Sequence, residues 1–240
     1  VKVINLGGSG GPTTEGIKIV DVQGASNGTF ALLGDYVFHG QQAAIGGAYA
    51  YTLQKNGIAT PADGDWYLRS SLIDPPPTVA GPIYQPGVPL YEAYPQMLLA
   101  MNSLPTLQQR VGNRYWGGDA TIPAAGDQPE HERSVFWART EGSYARTTAL
   151  GSTTLSDTSI GQWSARTGFD GLLYRNDAGM VVGGLTAHYG LGVADIRSVY
   201  GDGRINTSGR GIGGTLTWYG ATGFYVDSQA QVTFFESALK

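Results

Sequence analysis

Residues 160–174 read IGQWSARTGFDGLLY, and polar and apolar side chains alternate along this run. Successive side chains of a β-strand point to opposite faces, so the run predicts a strand with two unlike faces. One face carries Gln162, Ser164, Arg166, Gly168 and Asp170, and the other carries Trp163, Ala165, Thr167, Phe169, Gly171 and Leu173. A soluble sheet buries its apolar face, whereas a membrane barrel turns that face to lipid and keeps the polar face around a wet lumen.

Four further runs between residues 134 and 240 have the same character, which predicts about five antiparallel strands. The predicted strands are 134–146, 160–174, 180–189, 204–219 and 224–238. The connections between them alternate in length, being long at 147–159 and 190–203 and short at 175–179 and 220–223. Outer-membrane barrels show this alternation of longer outside loops and short periplasmic turns. We therefore predict part of an antiparallel outer-membrane β-barrel.

Charged side chains near the middle of the first two runs, Arg139 with Glu141 and Arg166 with Asp170, lie on one face of their strands. An Arg or Lys at the bilayer midplane costs roughly 2–4 kcal/mol, so a strand that faces lipid must confine charge to its other face. The predicted lumen-facing residues are Arg139, Glu141, Arg166, Asp170 and Asp227. Aromatic residues near the strand ends fit an interfacial girdle; they are Trp163, Tyr189, Trp218 and Phe224. A soluble barrel or sandwich with these charges on its surface is the alternative interpretation.

Residues 1–73 predict short strands separated by turns, at 16–22, 29–33, 36–39, 48–54 and 65–71. The pattern fits an ordinary sandwich nearly as well as a solenoid, because no strict repeat is present.

Six prolines in 74–89 predict an extended, semi-rigid linker. Apolar residues then recur at helical spacing through 90–111, with Pro95 near the predicted helix start and Pro105 as a break after Leu104. Such a helix fits either a polar cavity or the surface of a sheet, and 112–133 predicts a loop.

Composition excludes several classes of function. The 240 residues include 37 Gly and no Cys, which excludes disulfides, zinc–thiolate sites and a Cys nucleophile and suits passage through the periplasm. A net charge of −4 provides no basic field for nucleic acid. His39, His131 and His188 are too scattered for a metal cluster, and no nucleophile elbow is present. We therefore name no catalytic residue, metal ligand or cofactor, and we expect no enzyme activity.

Three segments give the chain a resemblance to the monomeric autotransporters of Gram-negative bacteria, of the pertactin and AIDA type. The first comprises GIKIVDVQG (16–24), GAYAYTL (47–53) and DWYL (65–68), which resemble the last rungs of a passenger β-helix. The second, YQPGVPLY (84–91) running into LQQR (107–110), is similar to the junction where the linker helix enters the barrel. The third, GFDGLL (168–173) with GIGGTLTW (211–218), resembles translocator strands.

The resemblance implies a mainly β fold in three parts. Residues 1–73 would be the end of a right-handed passenger β-helix with its autochaperone region, 74–133 the Pro-rich linker and pore helix, and 134–240 the first part of the barrel. The implied pore-helix residues are Tyr91, Met97, Leu98, Met101, Leu107 and Arg110. Type V secretion, in which the barrel lies in the outer membrane and its adhesin-like passenger reaches the cell surface or is secreted, is the implied function. The implied partners are outer-membrane lipid, the barrel-assembly machinery and periplasmic chaperones, with a monomeric state and no nucleic acid.

In this family the end of the passenger emerges first and templates folding of the remainder. The residues implied to form that folding core are Ile17, Ile19, Val20, Val22, Phe30, Leu32, Val37 and Phe38. Family barrels have twelve strands and end in an aromatic residue, whereas five strands are predicted here. We therefore expect a piece of a longer autotransporter that does not insert and secrete alone.

Some members of this family cut themselves at adjacent asparagines inside the pore. Asn102 and Asn113 are isolated here, so we predict no such cleavage in this segment. Two other functions remain open: a secreted β-helix adhesin or enzyme whose active part lies upstream, and a soluble carbohydrate-binding β-protein.

Overall fold

The structure is a computed structural model that describes residues 1–71, 81–111 and 134–240. It is mainly β and contains two antiparallel five-stranded sheets. The chain divides into two compact units, each of which is described by itself. Unit 1 comprises Val1–Glu92, Thr148–Asp157 and Ile196–Gly203, and unit 2 comprises Ala93–Thr147, Thr158–Asp195 and Arg204–Lys240. The expected boundaries at 73/74 and 133/134 stay predictions, and the first part of the linker (74–80) and all of 112–133 lie outside the described residues, as does His131.

Unit 1 contains an antiparallel sheet in the order β1-β5-β4-β3-β2. Its strands are β1 (Ile17–Val20), β2 (Tyr36–Phe38), β3 (Gln41–Gly46), β4 (Tyr49–Lys55) and β5 (Trp66–Arg69). The turn between β2 and β3 has two residues with positive φ, His39 at 45° and Gly40 at 81°. This backbone matches the right-handed twist of a two-residue hairpin and pairs Phe38 with Gln41.

The core of unit 1 differs from the set expected from the sequence. Its two buried clusters are Leu32, Ala44, Tyr51 and Leu68, and Phe38, Ala43, Ala50, Ile83 and Tyr200. Ile17, Phe30 and Val37 are 51%, 44% and 58% exposed, so within this segment they lie outside the core. Ile19, Val20 and Val22 are half-buried. Leu32 and Phe38 of the expected set do lie in these clusters, and small alanines of β3 and β4 complete them, which a count of large apolar residues does not detect.

Two helical pieces follow, α1 (Val88–Met101) and α2 (Leu107–Val111). The predicted break at Pro105 is confirmed, since residues 102–106 are not helical. The helix begins earlier than expected, and Pro95 therefore lies inside α1 rather than near its start. No described helix is both long enough and apolar enough to cross a membrane.

Unit 2 contains an antiparallel sheet in the order β10-β9-β8-β7-β6. Its strands are β6 (Ser134–Thr147), β7 (Asp157–Asn176), β8 (Gly179–Arg197), β9 (Gly203–Gly220) and β10 (Tyr225–Leu239). The end of β8 at 196–197, the first residue of β9 at 203 and the first residue of β7 at 157 fall in unit 1. The five predicted strands are confirmed, but β8 continues to Arg197 and shortens the expected long connection 190–203 to residues 198–202.

The mainly β fold with an incomplete antiparallel barrel is confirmed, because β6 and β10 lie at opposite edges of the sheet and are not paired with each other in the described chain. The strand pairing of unit 1 differs from that of the expected stack of β-helix rungs. Lys2 and Leu33 form a parallel bridge, as successive rungs would, while the named strands of unit 1 pair antiparallel.

Candidate functional site

The two faces of the β6–β10 sheet differ in chemistry. On one face Phe169, Leu185 and Leu216 are 52%, 73% and 51% exposed. Their neighbours on the same face include other exposed apolar residues, namely Phe136, Leu173, Ile212, Val226, Val232 and Phe234. This outer face is therefore apolar and uncovered in the described structure, which is the arrangement required of a surface that contacts lipid.

The charge-free part of the outer face has a limited height. On β10 it runs from Val226 to Phe234, before Glu236, and on β8 it runs from Val181 to Val193, before Asp195. At about 3.3 Å per residue and a tilt of about 40°, these runs rise roughly 20 Å and roughly 30 Å. The two values bracket the apolar band of about 25 Å found on outer-membrane barrels, and on β9 the charge-free run ends at Ile212 because Arg210, opposite Phe234, lies on the same face.

The opposite face is concave and polar. Arg166 of β7 donates from Nη1 to Gln231 Oε1 of β10 at 2.9 Å, although β8 and β9 lie between these strands. His188 of β8 similarly lies 2.9 Å from Thr233 Oγ1 of β10. Side chains can span intervening strands in this way only if the sheet curls toward them, so this face forms the inside of a trough.

The second half of α1 lies in that trough. Met97 is fully buried, and a Cβ placed on Gly192 of β8 would stand 2.2 Å from its Cε atom. Gly190 likewise lies beside Met101. The Tyr94 hydroxyl donates to Ser237 Oγ of β10 at 3.0 Å. Glycines on the strand therefore provide the room for methionines on the helix.

The break between α1 and α2 is held by side chains of the sheet. Four of these contacts reach main-chain carbonyl oxygens: Gln231 Nε2 to Asn102 at 3.0 Å, Arg166 Nη2 to Ser103 at 3.3 Å, Gln229 Nε2 to Pro105 at 2.9 Å, and Arg139 Nη1 to Gln109 at 3.2 Å. A helix end leaves its last carbonyls without intrahelical partners, and these donors satisfy carbonyls at and after that end.

Arg110 of α2 is a buried charge in the trough, with 4% of its surface exposed. Its Nη2 atom donates to Thr217 Oγ1 at 3.0 Å and to Asp227 Oδ1. Its Nη1 atom lies 4.0 Å from Asp170 Oδ1, and Asp170 is 1% exposed. The guanidinium thus lies between carboxylates from β7 and β10.

A polar cavity of about 260 Å³ lies in the trough beside the helix break. Arg139, Glu141, Arg166 and His188 contribute to its lining. Arg139 Nη2 and Glu141 Oε2 are 3.2 Å apart, and the Glu141 side chain is 53% exposed. Such a lining is typical of a wet cavity and not of an apolar core.

All five residues predicted to face a lumen, Arg139, Glu141, Arg166, Asp170 and Asp227, share the concave side of the sheet by strand parity. Among the pore-helix residues, Met97 and Arg110 are buried, Leu98, Met101 and Leu107 are half-buried, and Tyr91 is 66% exposed. Gln229, Gln231 and Thr233 were not among the named candidates. Their shared parity with Asp227 is the signal that identifies them.

Two clusters of polar contacts in unit 1 form around the carboxylates of Glu92 and Asp65. Glu92 of α1 accepts hydrogen bonds from Ser152 Oγ at 2.9 Å, Thr153 N at 2.7 Å and Thr154 N at 3.0 Å. Asp65 is 2.6 Å from Lys18 Nζ and accepts from Val22 N at 2.8 Å. The hydrogen bond from Lys18, then that from Val22, holds the pKa of Asp65 below its usual value.

No group of three or more potential metal-ligating residues occurs in the described ranges 1–71, 81–111 and 134–240. No family model matches the chain, and no solved structure matches it. It is 46% identical over its whole length to the adhesin BmaC autotransporter of Brucella suis biovar 1 (strain 1330), covering 7% of that protein.

Two Escherichia coli proteins are also similar. The autotransporter adhesin AIDA-I is 39% identical over 29% of the chain, which covers 5% of that protein. The uncharacterized protein YdeU of strain K12 is 30% identical over the whole chain, which covers 52% of it. The chain thus spans a small part of the two adhesins and about half of YdeU. The resemblance to autotransporters is confirmed, and both autotransporter relatives are named as adhesins.

Proposed function

We propose, from the similarity of the whole chain to a segment of an autotransporter adhesin, that it takes part in moving and folding a passenger across the outer membrane. In this proposal β6–β10 belong to a barrel in that membrane, and the helical segment 88–111 lies in its lumen. Residues 1–73 are the last part of a passenger exposed at the cell surface. The barrel-assembly machinery, periplasmic chaperones and outer-membrane lipid are the proposed partners of a monomeric parent protein.

One observation carries the membrane assignment. The apolar face of the sheet is exposed, whereas the face with Asp170 and Asp227 covers the helix that carries Arg110. A soluble carbohydrate-binding protein would place these faces the other way, because large exposed apolar patches are costly in water. The exposed fractions of Phe169, Leu185 and Leu216 therefore favour lipid over an aqueous surface.

The proposal is tested by matched substitutions on one strand face in the longer protein that contains this segment. Val232 lies inside the charge-free run of β10 opposite Ile212, and Ala238 lies on the same face opposite Asn206 beyond Glu236. Val232→Arg is expected to lower the yield of heat-modifiable, membrane-inserted protein and of surface passenger, because Arg in the apolar band costs roughly 2–4 kcal/mol.

Ala238→Arg is the control, and it should leave insertion near the parental yield. Equal insertion of the two variants would contradict the proposal. A parent protein that is monodisperse without detergent would also contradict it, and would favour the soluble alternative.

Binding activity belongs to the passenger. BmaC and AIDA-I are named adhesins, and we propose an adhesin role for the upstream passenger of the parent on that ground alone. Loss of cell adhesion on deletion of the upstream passenger, with the barrel still inserted, would support it. Retention of full adhesion would contradict it.

A further inference from the structure

The sheet holds the broken helix mainly through its main chain. The donors Arg166, Gln229 and Gln231 each reach a carbonyl oxygen within residues 102–106. Pro105 lacks an N–H and prevents a continuous helix here, so these carbonyls are free to accept from the sheet. Every residue has a main-chain carbonyl, so these donors need no particular side chain on the bound segment.

One side chain of the segment is recognised as well. The Asn102 Oδ1 atom accepts from Gln231 Nε2 at 2.8 Å and from Thr233 Oγ1 at 2.7 Å. Gln231 thus binds both the carbonyl and the amide of the same residue. This pair of contacts fixes which residue of the segment lies opposite Gln231, whereas the contacts to Ser103 and Pro105 do not depend on residue type.

The donors suit an extended chain. Gln229 and Gln231 are two residues apart on one face of β10, and Arg166 reaches toward the same place from β7. All three are on regular strands, so their positions are set by the sheet and not by the bound segment. A site of this kind binds polypeptide of any sequence, in the way that strand addition relies on main-chain hydrogen bonds for its affinity.

We infer that Arg166, Gln229 and Gln231 form a sequence-independent binding site for the main chain of an extended polypeptide. In the structure the site holds residues 102–106. During export it holds successive passenger segments as they pass through the trough, and Asn102 defines the register at which the chain comes to rest. The second statement rests on the proposed role in export.

The test uses the longer protein with its passenger stalled at several lengths by an added disulfide loop. The photoreactive benzoylphenylalanine replaces Phe235, an aromatic residue on the inner face of β10 and close to Thr233. Cross-links to the passenger are expected at every stall length, because the site does not discriminate among side chains. Gln229→Met combined with Gln231→Met should lower their yield at least threefold.

Gln162→Met is the matched control. Gln162 is on the same concave face, and its Oε1 atom has no hydrogen-bond partner in the described part of the chain. This change should leave the cross-link yield unaltered. Cross-links confined to one stall length, or an equal yield in the double-methionine variant, would overturn the inference.

Register is tested in the resting protein. Asn102→Ala should spread the cross-links over neighbouring residues of the helical segment, whereas Ser103→Ala should keep them in place because its contact is made by the main chain. No shift in the Asn102 variant would overturn the assigned register. Absence of both surface passenger and inserted barrel in the unsubstituted parent would instead contradict the proposed export function, so the two failures are distinguishable.

Discussion

Replacing Arg110 with methionine should release α2 from the sheet. Methionine keeps much of the side-chain volume and removes the charge, leaving Asp227 and the 1%-exposed Asp170 without this cation. Removing one partner of a buried ion pair costs roughly 3–5 kcal/mol. The lower end of that range corresponds to about a 100-fold increase in local opening, since each 1.4 kcal/mol is tenfold.

The opening can be read from thiol labelling next to Arg110. Val111 packs against Met180 and Val182, and the 240-residue chain has no cysteine of its own. A Val111→Cys reporter, as the single cysteine of the inserted longer protein, should react with maleimide about 100-fold faster in the Arg110→Met background. Adding Asp227→Asn should recover part of the protection, because it removes one uncompensated carboxylate.

Arg204→Met supplies the matched control. The Arg204 side chain is 59% exposed and its partner Asp195 is 48% exposed, so this pair is screened by solvent and contributes little. Labelling of the reporter should rise less than fivefold in this variant. A labelling rate in Arg110→Met within threefold of the parental rate would refute the reasoning that the buried pairs anchor α2.

Three further predictions concern other parts of the chain. Gly192→Ala should cost roughly 1–3 kcal/mol, seen as faster proteolysis of the helical segment, because the new Cβ would stand 2.2 Å from Met97; unchanged proteolysis would contradict this packing. Leu32→Asp should abolish protease resistance of unit 1 and lower surface display, whereas the 58%-exposed Val37→Asp should not, and equal effects would contradict the core assignment. The pKa of Asp65 is lower in the folded state than its unfolded value of about 3.9, so the ionised side chain stabilises unit 1 above that pH, and this contribution disappears as the pH falls through the folded pKa. Asp65→Asn should therefore remove this part of the acid denaturation curve of unit 1. An acid denaturation curve that superimposes on the parental one would contradict this assignment.

The strands of the β6–β10 sheet were the most predictable feature, because strict alternation of polar and apolar residues directly indicates a strand with two unlike faces. β7 extends beyond its predicted bounds by only a few residues at each end, β10 is shifted by one residue, and Pro105 marks the helix break. The missed end of β8 contains Gly190 and Gly192, which favour a loop in the sequence. Their presence is explained by Met97 and Met101, which occupy the space that side chains would fill.

Other features depend on contacts between distant parts of the chain. β3 was missed because Gln41, Gln42 and two alanines carry no alternating pattern, and its place is fixed by the left-handed turn before it. Gln231 and Asn102 are 129 residues apart in sequence, and periodicity carries no information about such pairs. Parity places Gln231 on the correct face, but only the curl of the sheet brings it to the carbonyl.

The outermost strands β6 and β10 have a consequence for handling the isolated segment. Each leaves one row of main-chain N–H and C=O groups without a strand partner in the described sheet. Every such group left without a hydrogen-bond partner in hydrocarbon costs several kcal/mol, so these two sheet edges are unstable when they face lipid alone. In water the same edges are templates for self-association. Recombinant material limited to these 240 residues should therefore accumulate as insoluble aggregates that bind amyloid dyes, until further strands are supplied to cover both edges.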